Sequence, residues 1–175
     1  MPAAGVCSLH WEEALTVASL RIRRMVSYDA IALCACEGDL VSVKFASGED
    51  GPELESLAVR QGEGLVGWVA EVGKPILNGN PAVEPGYLKR SGAPGLLSAL
   101  ALPLVNAGRV VGVVALYRRE RDAFAADEMV ALLELCPALA SLMLDINQPD
   151  MVEPSINLLE MANAIQPNSE TRVGV

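Results

Sequence analysis

Residues 98–118 read SALALPLVNAGRVVGVVALYR, and this stretch constrains the fold more than any other. Ala99 to Val105 carries no charge, and Val110 to Leu116 is apolar throughout. A strand with one face in water alternates polar and apolar residues, so two uncharged runs of strand length must be covered on both faces. Asn106-Ala107-Gly108 between them predicts a tight turn, with glycine placed for the left-handed conformation. The pair is therefore expected in the middle of an antiparallel sheet.

The flanking segments supply partners for that sheet. Trp11, Leu15, Ala18, Ile22 and Met25 recur at helical spacing and predict a first helix over 10–26, with Arg21, Arg23 and Arg24 at its negative end. Residues 30–36 and 40–46 predict a second hairpin turning at Glu37-Gly38-Asp39, its second strand half exposed. One helical turn is expected over 52–57, and a short helix over 65–72 stopped by Gly73. Residues 75–77 predict a short extended piece, and 80–97 a loop with three prolines and three glycines. Residues 125–146 predict one long helix. Met129, Leu132, Cys136, Leu139, Met143 and Ile146 form its main seam, Ala131, Leu135, Ala138 and Leu142 form a second apolar line, and Pro137 bends it.

Three domains of behaviour follow: an N-terminal segment at 1–9, one folded domain at 10–147, and a linker or tail at 148–175 with one weak helical patch at 156–165. A net charge of −9 argues against nucleic acid as a partner. No run of apolar residues is long enough to span a membrane, and no basic leader pattern precedes the first helix, which predicts a cytoplasmic chain.

A single histidine, His10, leaves little material for His-based nucleophilic or metal chemistry, and neither a metal nor a cofactor is expected. Cys34 and Cys36 share a strand face, but without a second pair they read as small buried hydrophobes. Gly62, Gly64 and Gly67 superficially match a phosphate-cradling loop. The strand before them is too short for a dinucleotide fold, so that reading is set aside.

Specific residues then point to a family. Tyr28-Asp29-Ala30 precedes the first strand; Gly62-x-Gly64-Leu65-x-Gly67-x-Val69-Ala70-x-x-Gly73-x-Pro75-Ile76 spans the short helix; Ser98–Leu104 and Gly112–Leu116 form the central hairpin; Phe124-x-x-Asp127 opens the last helix. In this order the residues from about 10 to 147 resemble the GAF domains, a family of small-molecule sensors. The stretch from Asn78 to Tyr87 is most similar to GAF domains that precede bacterial diguanylate cyclase outputs, although no such output lies in this chain.

The resemblance implies an α+β (α/β sandwich) fold. It has a six-stranded antiparallel sheet, the first and last helices on one face, and loops roofing a ligand pocket on the other. It also implies a non-catalytic regulatory domain that binds a small molecule and acts on a signalling output, with one handling a cyclic dinucleotide implied by the similarity over Asn78 to Tyr87. The alternative is a dimerisation module without ligand. Relatives that reduce free methionine sulfoxide use cysteines near the pocket loops, whereas this chain has none between Cys36 and Cys136. Relatives that bind cyclic nucleotides carry an Asn-Lys pair where this chain has Tyr117-Arg118.

The expected ligand-binding set is Trp68, Asn78, Asn80, Tyr87 and Ser98: aromatic faces to cover a flat ligand, and polar groups to orient it. Trp11, Leu15, Leu135, Leu139 and Leu142 are the expected homodimer interface, because two apolar lines exceed what one sheet face should cover.

Overall fold

A computed structural model describes residues 2–48, 50–85 and 95–147. Its elements run α1 (Pro2–Met25), β1 (Ala30–Glu37), β2 (Leu40–Gly48), α2 (Gly51–Glu55), β3 (Ala58–Arg60), α3 (Gly64–Val72), β4 (Ile76–Gly79), a 3-10 turn (Pro81–Val83), β5 (Ser98–Asn106), β6 (Arg109–Arg118), α4 (Ala126–Leu133) and α5 (Cys136–Asn147). The strands form one antiparallel six-stranded sheet in the order β3-β2-β1-β6-β5-β4. The apolar hairpin β5–β6 lies inside it as expected, with β1 beyond β6 and the short β4 covering β5.

The strands carry two kinds of side chain on their two buried faces. Ile31, Leu33, Leu100, Leu102, Leu104, Val114 and Leu116 point toward α1, α4 and α5, where they meet Leu15, Ile22, Val26, Leu132, Leu139 and Met143. Burying each of these large side chains stabilises the fold by about 1.5–3 kcal/mol. Ala30, Ala32, Cys34, Ala99, Ala101, Val113, Ala115 and Tyr117 point the other way, under α2 and α3. The first and last helices thus share one face of the sheet, and α3 with the roof segment takes the other.

Three local expectations change. The inner line of α1 runs Leu15, Ser19, Ile22 and Val26, while Met25 is exposed; the register is one residue later than the seam drawn through Met25. The last helix is two helices, meeting at an angle of 52°. Pro137 stands in the first turn of α5, where its missing N–H breaks no bond, and the Glu134 and Leu135 amides close onto Ala131 and Leu132 instead. Finally, the β5–β6 connection is two residues, not three, because Asn106 pairs with Arg109.

Ala107 and Gly108 take φ values of 52° and 78°, the left-handed pair that suits the twist of a hairpin. Alanine is poorly suited to that region, whereas asparagine enters it readily. Ala107→Asn is expected to stabilise the protein by about 0.5–1 kcal/mol. Urea unfolding checks this, and a midpoint unchanged or lowered would contradict it.

Candidate functional site

The roof side of the sheet is organised by the start of α3. Its capping residue, Glu63, is extended and makes no side-chain bond to the first turn, so the leading amides need partners from elsewhere. Glu84 supplies them: Oε1 accepts from the Leu65 N–H at 2.9 Å and Oε2 from the Val66 N–H at 3.2 Å. Gly64 makes this approach possible. It has φ +66°, and a side chain there would overlap the Glu84 carboxylate and press on Pro85.

Glu84 is 3% exposed and is the one buried charged residue among the described residues. Burial pushes its carboxyl up to about 7, against the two amide bonds that favour the ionised form. On β1 beneath the roof, burial pushes the Cys34 thiol well up, with further contributions from the charge of Glu84 and from Cys36. Burial alone pushes Cys36 and Cys136 up to about 11. None of these three cysteines is a ready thiolate. Among the described residues no group of His, Cys, Asp or Glu is arranged to hold a metal ion.

Of the expected ligand set, Asn78, Asn80 and Ser98 each hydrogen-bond to the backbone. Asn78, at φ 62° in the irregularity between Leu77 and Gly79, spends its amide on Phe124: Nδ2 donates to the carbonyl and Oδ1 accepts from the N–H, both at 2.9 Å. Asn80 caps the 3-10 turn by accepting from the Ala82 N–H at 3.0 Å. The Ser98 hydroxyl donates to the Glu120 carbonyl at 2.7 Å. Ser98 also alternates with Ala99, so it belongs to the helix-side face. Trp68 is 39% exposed on α3. Tyr87 lies outside the described residues. Turn building and strand parity account for these positions, while Glu84 and Cys34 occupy the interior.

The helix face divides similarly. Leu15 and Leu139 are core residues, 0% and 4% exposed, because each points straight onto the sheet. Trp11, Leu135 and Leu142 pack at the margin of the core. Beside them a groove of about 190 Å³ runs between α1 and α5, lined by Ala14, Val17 and Arg21 on one side and Leu135, Ala138 and Leu142 on the other.

A junction links the two faces. Arg118, at the end of β6, donates to the Ser27 carbonyl at 2.9 and 2.7 Å, to the Ala123 carbonyl, and to Glu128 at 2.8 Å. Its guanidinium also stacks over the Phe124 ring at 4.2 Å. Glu128 accepts in turn from the Ala125 N–H at 3.0 Å, holding the first turn of α4.

Phe124 is therefore gripped by β4 through Asn78 and by β6 through Arg118. Sequence reasoning missed Glu84 and this junction. A lone acid in a proline-rich loop and an arginine at a strand end carry no local mark of such roles.

Comparison with known proteins places these features in context. A family model described as "GAF domain" matches residues 10–145. The GAF domain of a phosphoenolpyruvate-protein phosphotransferase from Coxiella burnetii is similar, with a TM-score of 0.65 at 22% identity over 81% of this chain and 86% of that one. The free methionine-R-sulfoxide reductase of Neisseria meningitidis, solved with its substrate, gives 0.62 at 18% identity over 79% and 81%. The GAF-B domain of DevS from Mycobacterium smegmatis gives 0.58 at 18% over 77% and 94%. No curated protein matches the sequence.

Proposed function

The chain belongs to the GAF domain family, and from that premise we propose that it is a non-catalytic sensor whose roofed sheet face takes a small molecule and passes the event to a signalling output. The observation that carries this reading is Glu84. Glu84 caps the first amides of α3, and it does so as a desolvated carboxylate inside an apolar wall, which is the kind of polar group a recognition site needs. The sheet face beneath it is made of Ala30, Ala32, Cys34, Ala99, Ala101 and Ala115, small side chains buried in one apolar cluster with Leu65, Val66 and Val69 of α3. The similarity of residues 78–87 to domains preceding diguanylate cyclases makes an output that handles a cyclic dinucleotide the partner to look for.

Similarity to methionine sulfoxide reductases raises a catalytic alternative. Thiol chemistry needs thiolate, and burial holds Cys34, Cys36 and Cys136 in the opposite direction. Purified protein is expected to show no thiol-dependent turnover of free methionine sulfoxide, and turnover abolished by replacing one cysteine would overturn the non-catalytic reading. Native mass spectrometry tests the sensor reading directly. A retained small molecule, released on denaturation and lost in Glu84→Gln, is expected. A clean apo mass, with no metabolite fraction raising the melting temperature, would count against it.

A further inference from the structure

A cleft of about 560 Å³ opens where the β1–β2 turn, Gln61, the last turn of α3 and the β5–β6 turn meet. Its size is that of a small-molecule site, about 300–1,000 Å³. Glu84 holds the other end of α3 at Leu65, roughly 10 Å back along the helix from Val72, so the cleft is separate from the roofed face. We infer that it binds a small zwitterion with an aliphatic body, the chemistry of a free amino acid or a dipeptide.

The apolar part of the lining is graded. Ala70 is buried, Cys36 and Val110 are half-buried, and Val72 and Val105 are 39% and 45% exposed. An aliphatic group laid on these side chains leaves water together with them, which supplies the non-directional part of the binding.

One side of the cleft is negative. α3 ends at Gly73, with φ 74°, whose N–H closes onto the Val69 carbonyl. Among the described residues no backbone amide closes onto the carbonyls of Ala70, Glu71 and Val72. These unpaired carbonyls form the negative end of the helix dipole and favour a cation. Glu71 adds a carboxylate, which lies against Gly62 where any side chain would overlap it. That carboxylate has no hydrogen bond or ion pair among the described residues.

The β5–β6 turn supplies the opposite charge. Arg109 is exposed beside Gly108, and its guanidinium likewise has no hydrogen bond or ion pair among the described residues. Two opposite charges that line one cleft without pairing suit a ligand that carries both. The ligand's ammonium belongs at Glu71 and the end of α3, and its carboxylate on the forked donors of Arg109.

The frame of the cleft is fixed. Gln61 donates from Nε2 to the Gly38 carbonyl at 3.1 Å and from its N–H to the Asp39 carbonyl at 2.9 Å, tying the β1–β2 turn to the strand end beside α3. Gly38 and Gly108 have open space where a side chain would stand, which leaves the entrance clear. The Asn147 amide, at the end of α5, donates to the Cys36 carbonyl at 3.1 Å. A ligand seated on Cys36 is thus one hydrogen bond from the last helix.

Heteronuclear NMR titration of the labelled full chain tests the proposal, with L-leucine and L-leucyl-L-leucine as probes. At least one is expected to shift the amides of Gly38, Gly73 and Gly108 saturably and to leave Leu65 and Val66 in place. The tighter of the two identifies amino acid or dipeptide as the source. N-acetyl-L-leucinamide, which keeps the aliphatic body and loses both charges, should bind about tenfold more weakly or less. Glu71→Gln and Arg109→Gln, both at exposed positions outside the core, should each weaken the charged probe by about tenfold or more.

No saturable shift with either probe would overturn the proposal. Equal binding of the uncharged analogue would do the same, as would binding that survives both variants. Shifts centred on Leu65 and Val66 would give the probe to the roofed face and would also overturn it.

Discussion

Lowering the pH from 8 to 5 is expected to make this protein more stable, and Glu84 is the reason. In the unfolded chain its carboxyl titrates near 4.5, and in the folded protein burial pushes it up to about 7. Between those values the folded state holds a proton that the unfolded state does not. The stabilising contribution is therefore complete below about 4.5 and is lost as the pH rises through about 7.

At about 1.36 kcal/mol per pH unit, the interval corresponds to about 3 kcal/mol, which for a domain of this size shifts the melting temperature by roughly 10 °C. Glu128 works in the opposite direction. Its hydrogen bond from Arg118 lowers its carboxyl, so its contribution is present above the ordinary glutamate range and lost in stronger acid. The optimum is thus expected near pH 5. Glu84→Gln should flatten the profile between 5 and 8 and leave the variant more stable than the parent at pH 8. Parallel melting curves for the two proteins across that range would remove Glu84 as the cause.

Much of the sheet was legible because burial on two faces leaves an unmistakable composition in β1, β5 and β6. The finer division of those strands was also written in the chain: Ala30, Ala32 and Cys34 alternate with Ile31 and Leu33, and Ala99 and Ala101 alternate with Leu100 and Leu102. Read as parity, this assigns the small residues to the roof and the large ones to the helices, and it places Ser98 with the leucines.

The site was less legible. The Glu84 carboxylate meets amides 18 and 19 residues earlier, and Asn78 meets a peptide group 46 residues later. Local patterns carry spacing within one element, so a contact that closes only when two loops meet leaves no periodic trace. Asparagine suits both turns and recognition, and both Asn78 and Asn80 hydrogen-bond to backbone groups here. The two-helix ending follows from Pro137, whose presence was plain but whose consequence, a bend or a break, depended on the preceding residues closing a tighter turn.

Replacing Arg118 is expected to cost more than any other single change at the surface of this domain. The side chain is 15% exposed and ties together three segments: the α1–β1 connection at Ser27, the β6–α4 connection at Ala123, and α4 at Glu128. Hydrogen bonds to a charged group contribute about 1.5–3 kcal/mol, and the stacking on Phe124 adds about 0.5–2 kcal/mol. Arg118→Ala is expected to lose about 3 kcal/mol in urea unfolding, since these terms overlap. Arg118→Lys should recover less than half of that, because an ammonium cannot fork between Ser27 and Glu128 or lie flat on the ring.

The junction also bears on how a ligand's presence would leave the pocket. Asn78 holds the Phe124 backbone from the strand that feeds the roof, and Arg118 holds its ring from the strand that feeds α4. If Phe124 is one energetic unit, removing either grip weakens the other. A double-mutant cycle of Asn78→Ala and Arg118→Ala should then give a coupling of about 0.5–2 kcal/mol. Strict additivity would mean that the two grips act separately, and that a change in the roof has no energetic route through Phe124 to the helices.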